Sequence, residues 1–106
     1  MGRAESTIEK YAVKKGEDLG AEVRKVVYQG RKGSPDRWFF FTEGRILIIE
    51  LKRPGEKPEP IQKFEMNTLR DLGFYVAWTD SKEGVDKVFD KFFNATRLSF
   101  NEAFPI

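Results

Sequence analysis

Apolar positions recur along the chain in two rhythms, and the points where one gives way to the other divide it into elements. Ile8, Tyr11, Ala12 and Leu19, with the stem of Lys15, follow a helical period from Ala4 to about Leu19. Ser6 with Glu9 three residues on fits a capping box, and Gly20 fits a stop. Val23, Val26, Val27 and Tyr28 suggest a short strand. Gln29 to Pro35, with two glycines, a serine and a proline, reads as a loop. Two strands, Arg37–Thr42 and Arg45–Leu51, then flank the turn signal Glu43-Gly44. Both are apolar on both faces, as in a sheet covered on each side.

Arg53 to Pro60 holds three prolines and a glycine and is a loop, with Pro60 placed to open a helix over Ile61–Leu72 that stops at Gly73. Phe74–Thr79 reads as a strand. Lys82–Phe93 reads as an amphipathic helix with Val85, Val88, Phe89 and Phe92 inward. Beyond Thr96 the pattern assigns no element. The order is α-β-β-β-α-β-α, with no repeat and no composition break, which implies one domain over residues 1–106.

Composition narrows the chemistry sharply. The 106 residues include no Cys and no His. Thiolate sites, His-ligated zinc and every mechanism with imidazole as base are excluded. An enzyme built from this chain must use carboxylates, amines, hydroxyls, water, or a metal held by oxygen. The formal charge of +2, from 19 basic and 17 acidic residues, says little by itself. Its distribution says more: Arg24, Lys25, Arg31, Lys32 and Arg37 crowd one segment, a run that fits either a solvated loop or a contact with nucleic acid. No stretch approaches the roughly 20 apolar residues of a membrane span, and the polar start carries no apolar signal core. A soluble, cytoplasmic protein is expected.

The hairpin turn decides what the two strands bring together. A three-residue connection, Thr42-Glu43-Gly44, with Gly44 at positive φ, pairs Phe41 with Arg45 and sets Asp36 opposite Glu50. Trp38 and Phe40 then share a face with Ile48 and Ile46, and alternation adds Lys52 to that face. A two-residue turn would put Asp36 and Glu50 on opposite faces. Two opposed carboxylates beside an apolar hairpin are costly unless something compensates them. A divalent cation would do so, and with only oxygen donors available Mg²⁺, with Mn²⁺ as substitute, is the natural choice. Plainer readings exist for each residue alone: Asp36 after Ser-Pro suits a turn, and Glu50 with Lys52 suits a structural pair.

Pro35-Asp36, an apolar strand, then Glu50-Leu51-Lys52 resembles the PD-(D/E)xK motif of a large nuclease superfamily. The wider run Gly33-Ser34-Pro35-Asp36-Arg37, then Ile49-Glu50-Leu51-Lys52-Arg53-Pro54-Gly55, then Pro60 and Gln62, resembles the virus-type replication-repair nuclease (VRR-NUC) domain in its compact, stand-alone form. The resemblance extends from the first helix to about Thr79. It implies a restriction-endonuclease-like α/β fold, a mixed central sheet flanked by helices.

It also implies roles. Asp36, Glu50 and the Leu51 carbonyl would bind the metal, and Lys52 would position or deprotonate the attacking water. Gln62 would orient Lys52, water or phosphate. An acid on the first helix, Glu9 or Glu5, would complete the set, and Glu9 is preferred for its deeper position. The loop before Asp36 would let a phosphate backbone approach through Arg31, Lys32, Ser34 and Arg37, and Arg53 is a further DNA-binding candidate. Stand-alone members resemble Holliday junction resolvases that act on branched DNA as homodimers, inside a bacterial or phage-infected cell. A surplus of aromatic residues, Phe64 and Phe93 among them, could serve that interface or simply fill a dense core. Competing readings are a flap or duplex-end nuclease with the same site, and a catalytically silent DNA-binding module.

Overall fold

The computed structural model describes residues 6–106. Its elements run α1 (Thr7–Asp18), β1 (Glu22–Lys25), β2 (Arg37–Phe40), β3 (Ile46–Leu51), α2 (Pro60–Asp71), β4 (Tyr75–Thr79), α3 (Lys82–Asn94) and α4 (Arg97–Ala103). At the starts of α1, α3 and α4 an N-cap hydroxyl satisfies a free backbone N–H. Ser6 accepts from Glu9 N, Ser81 from Gly84 N and Thr96 from Ser99 N. Pro60 occupies the first turn of α2, where its missing donor costs nothing.

The four strands form one sheet in the order β1-β2-β3-β4. β1, β2 and β3 pair antiparallel, and β4 joins β3 parallel after the α2 crossover. Alternation along each strand divides the interior into two layers. On one face Phe39, Leu47, Ile49, Leu51 and Ala77 pack with residues of α1, α3 and α4. On the other, Ile48 and Val76 pack with Met66 and Leu69 of α2, edged by Trp38, Ile46 and Trp78. The sheet is therefore covered on both sides, as the doubly apolar strands require. Most of the aromatic surplus goes into these layers, through edge-on pairs such as Phe39–Phe89 and Tyr75–Phe92. Phe64 and Phe93 stay exposed.

The register is that of the three-residue connection. Phe40 faces Ile46 and Arg37 faces Ile49; Phe41 N donates to Arg45 O at 2.8 Å. Gly44 has φ +72°, and Glu43 joins it in the left-handed region at φ +63°, which the sequence did not signal because Glu rarely adopts it. Two other boundaries differ. β1 stops at Lys25 rather than continuing to Tyr28, because after Val26 bonds to Asp36 O the chain turns away and Tyr28 reaches α2 instead. The unassigned tail forms α4, whose Phe100 is fully buried. Buried Arg70 holds the chain beyond α4 by donating to Phe104 O at 2.6 Å, and also donates to Val76 O at 2.9 Å. Among the described residues no helix is long and apolar enough to cross a membrane.

Candidate active site

The sheet end farthest from the hairpin turn collects the polar residues. Pro35, fully buried, anchors the incoming loop, and Ser34 Oγ ties it to Val26 O at 3.0 Å. Asp36 is thereby set one residue before β2, and the register extended by one places it opposite Glu50 near the end of β3. Their backbone and side chains interlock. Asp36 N donates to Glu50 Oε1 at 3.0 Å, and Leu51 N donates to Asp36 Oδ2 at 3.3 Å.

Glu50 is 2% exposed and has two further donors on its other oxygen. Lys52 Nζ lies 3.2 Å from Oε2, and Gln62 Nε2 donates to the same atom at 3.0 Å. The orientation of Gln62 is set by its position three residues into α2. Its Oε1 accepts from Glu59 N at 2.8 Å, closing the helix start and leaving the amide nitrogen to face Glu50. The first turn of α2 and the ends of β2 and β3 thus meet on the α2 face of the sheet.

Electrostatics set these two apart among the described carboxyl groups. Burial pushes Glu50 up to about 7, and the charge of Asp36 adds to this, while Lys52 and the bond from Asp36 N pull back. Asp36 is also raised, first by burial and then by the charge of Glu9, against the Leu51 N–H. Two carboxyls that resist ionising together, beside an amine and an oriented amide, suit a hard cation and an oxyanion.

The other expected residues take varied places. Glu9, on the helix covering the opposite face, reaches the sheet end near Asp36, but its carboxylate lies 3.6 Å from Arg37. Among the described residues no three acidic side chains form a group that could hold an ion together. Glu5 lies outside the described residues. Arg37 is largely covered; Lys32 and Arg53 are exposed. Arg31 is exposed and bridges to Glu65 of α2 at 3.0 Å. Gln62 meets Glu50 directly rather than Lys52. Sequence reading missed Asp80, whose Oδ2 accepts from Gly55 N at 2.9 Å and ties the Arg53–Glu59 loop to the end of β4. It also missed the Tyr28–Glu65 bond. Both partners are remote in sequence, and no local pattern marks them.

No protein-family model matches the chain. A curated relative, "Putative nuclease p44" of Acyrthosiphon pisum secondary endosymbiont phage 1, is 40% identical over 79 residues, spanning 74% of this chain and 85% of its own. A solved structure described as "VRR_NUC domain" superposes with a TM-score of 0.74 at 37% identity, covering 78% of this chain and 90% of that one.

Proposed function

The chain belongs to the VRR-NUC family and is a nuclease; we propose that it is a Mg²⁺-dependent, structure-specific endonuclease that cuts branched DNA such as Holliday junctions as a homodimer. The observation that carries this reading is the Asp36–Glu50 pair: two raised carboxyls locked face to face, with Glu50 shifted to about 7 by burial and by its neighbour's charge. A pair that disfavours its own ionised state is relieved by a cation between its members.

The donor set fits Mg²⁺. This ion takes one or two carboxylates, with water and substrate phosphate completing the shell. Asp36 and Glu50 would hold it, with the Leu51 carbonyl as a third oxygen. Bound there, the ion supplies a Lewis acid that acidifies water and offsets charge on the phosphoryl group. Mn²⁺ would substitute.

The remaining residues prepare that chemistry. Lys52, 3.2 Å from Glu50, offsets the negative charge of the pair, which favours its ionised form, and presents its ammonium to the attacking water and the scissile phosphate. Gln62 fixes the Glu50 carboxylate in one orientation. Glu9 stands behind Asp36, where it tunes the carboxyl electrostatically and adds a weaker candidate donor. Lys32 and Arg53 meet the phosphate backbone directly, joined by Arg31. Ser34 and Arg37 serve the same surface from inside, holding the loop to Val26 and to Glu9.

Paired cuts across a junction call for two sites related by a two-fold axis, which a homodimer provides. The reaction would take place in the cytoplasm of a bacterial or phage-infected cell. The test incubates the chain with four-way junctions, flaps, duplex and single strands in Mg²⁺, Mn²⁺ or EDTA, beside Lys52→Ala and Asp36→Asn. If the unmutated chain cuts none of these in metal, the metal-nuclease reading is sunk. Cutting of flaps but not junctions removes the junction assignment, and a strictly monomeric species on sizing at micromolar concentration removes the dimer.

A further inference from the structure

The basic loop before Asp36 has no regular structure, yet it is fastened at several points. Ser34 Oγ donates to Val26 O on one side. On the other, Gly33 (φ +96°) runs so close to α2 that a Cβ there would lie 3.0 Å from Ile61 O. Between these sits a charged clamp. Glu65 of α2, its side chain only 7% exposed, accepts from Tyr28 Oη at 2.7 Å through one oxygen and from Arg31 at 3.0 Å through the other. The Arg31 guanidinium lies over the Tyr28 ring, 5.6 Å from its centre.

A buried carboxylate is retained only where partners compensate it. Here both oxygens are used, and both partners come from the one loop. Arg31 is 60% exposed, and Glu65 engages one nitrogen of a group that carries five N–H donors. Its remaining donors face solvent from a fixed position. Glu65 also lies one helical turn beyond Gln62, whose amide holds Glu50. A single helix therefore orients the carboxylate pair and the basic loop beside it.

We propose that Glu65 is a positioning residue for nucleic acid: with Tyr28 it holds the 28–34 loop on α2 so that Arg31 meets a backbone phosphate already ordered. This rests on the nuclease reading above and goes beyond it, because an acidic side chain is assigned to strengthening the binding of a polyanion. A free arginine must lose side-chain and loop entropy when it meets phosphate. The clamp removes that loss before the encounter, at the expense of part of the Arg31 charge.

The sign of one substitution separates ordering from simple electrostatics. By Coulomb attraction alone, deleting the Glu65 charge should tighten DNA binding. The clamp requires the reverse. Binding of a fluorescent four-way junction is measured in Ca²⁺ over a salt series for the unmutated chain, Arg31→Ala, Glu65→Ala, their double variant and Tyr28→Phe. Arg31→Ala is expected to weaken binding roughly five- to tenfold and lower the salt slope by about one. Glu65→Ala is expected to weaken it similarly, and the double variant to be no worse than Arg31→Ala. In Mg²⁺ the losses should fall in KM, with kcat changed less than about threefold.

Limited trypsin digestion supplies a readout that needs no DNA. Cutting after Arg31 and Lys32 should accelerate about tenfold in Glu65→Ala and less in Tyr28→Phe, which keeps the buried carboxylate and guards against a Glu65 variant that fails to fold. Tighter or unchanged DNA binding by a folded Glu65→Ala, or an unchanged digestion rate in both variants, overturns the proposal while leaving the nuclease reading intact. No binding or cleavage of any DNA by the unmutated chain overturns both, and digestion then shows only whether the loop is clamped.

Discussion

Asp36 and Glu50 hold one another from opposite strands: the Asp36 N–H donates to Glu50 Oε1 at 3.0 Å, while Asp36 Oδ2 accepts from Leu51, the residue after Glu50. Each carboxyl has its partner's stretch of backbone as a donor, so the two sit close with little freedom to separate. Their mutual repulsion is built into the fold, and its release is the property most open to experiment.

Stability without metal should fall as pH rises. The folded Glu50 titrates near 7 against an ordinary value of 4.5, so its protonated form is the one the fold favours. The stabilisation is present in full below about 4.5 and is lost as pH passes through 7, on the order of 3 kcal/mol. Glu50→Gln should therefore melt several degrees above the unmutated chain at pH 8 in EDTA and differ little at pH 5. Mg²⁺ should raise the melting temperature of the unmutated chain at pH 8 but not that of the variant. Equal melting of the two at pH 8 in EDTA would show that Glu50 ionises without strain.

Removal of the Lys52 amine should cost activity while leaving the chain folded. Lys52 lowers the pKa of Glu50 by its charge and its hydrogen bond. Lys52→Ala should cut kcat at least about a hundredfold and move the acidic limb of the pH–rate profile upward. The far-ultraviolet spectrum should not change. An unmoved limb would separate Lys52 from the titration of Glu50.

Gln62 serves two masters, the start of α2 and the Glu50 carboxylate. Gln62→Ala should lose about 1 kcal/mol of stability in urea unfolding and about tenfold or more in kcat. Gln62→Glu keeps an acceptor for Glu59 N but turns a third carboxylate toward Glu50, and should lose more activity than Ala, with a loss of stability that grows as pH rises. The opposite ranking would assign Gln62 to the helix alone.

Gly16 tests the packing of α1 on the sheet. A Cβ there would overlap the ring of Phe39, which is itself fully buried against Phe89. Gly16→Ala should gain helix propensity yet still lose about 1–3 kcal/mol, the usual cost of overfilling a tight core. Calorimetry decides it, and a higher melting temperature would show that Phe39 can move aside.

Much of this was legible in residue order. Alternation over Arg37–Leu51 and the helical spacing of Ile8, Val85 and Phe92 report burial, which governs secondary structure locally. The Glu43-Gly44 signal marks the hairpin but leaves its connection two or three residues long; the fold takes three, and that register carries Asp36, Glu50 and Lys52 to one place. The lack of His and Cys limits any metal to oxygen donors. What the sequence left open depends on contacts between distant segments. That Gln62 turns its amide to Glu50, that Glu9 lies against Arg37, and that Tyr28 leaves its strand to share Glu65 with Arg31 follow from how α1 and α2 dock on opposite faces of the sheet. Local periodicity shows which side of a helix is apolar. Packing then fixes where along the sheet it rests, and so which polar side chains meet at its end.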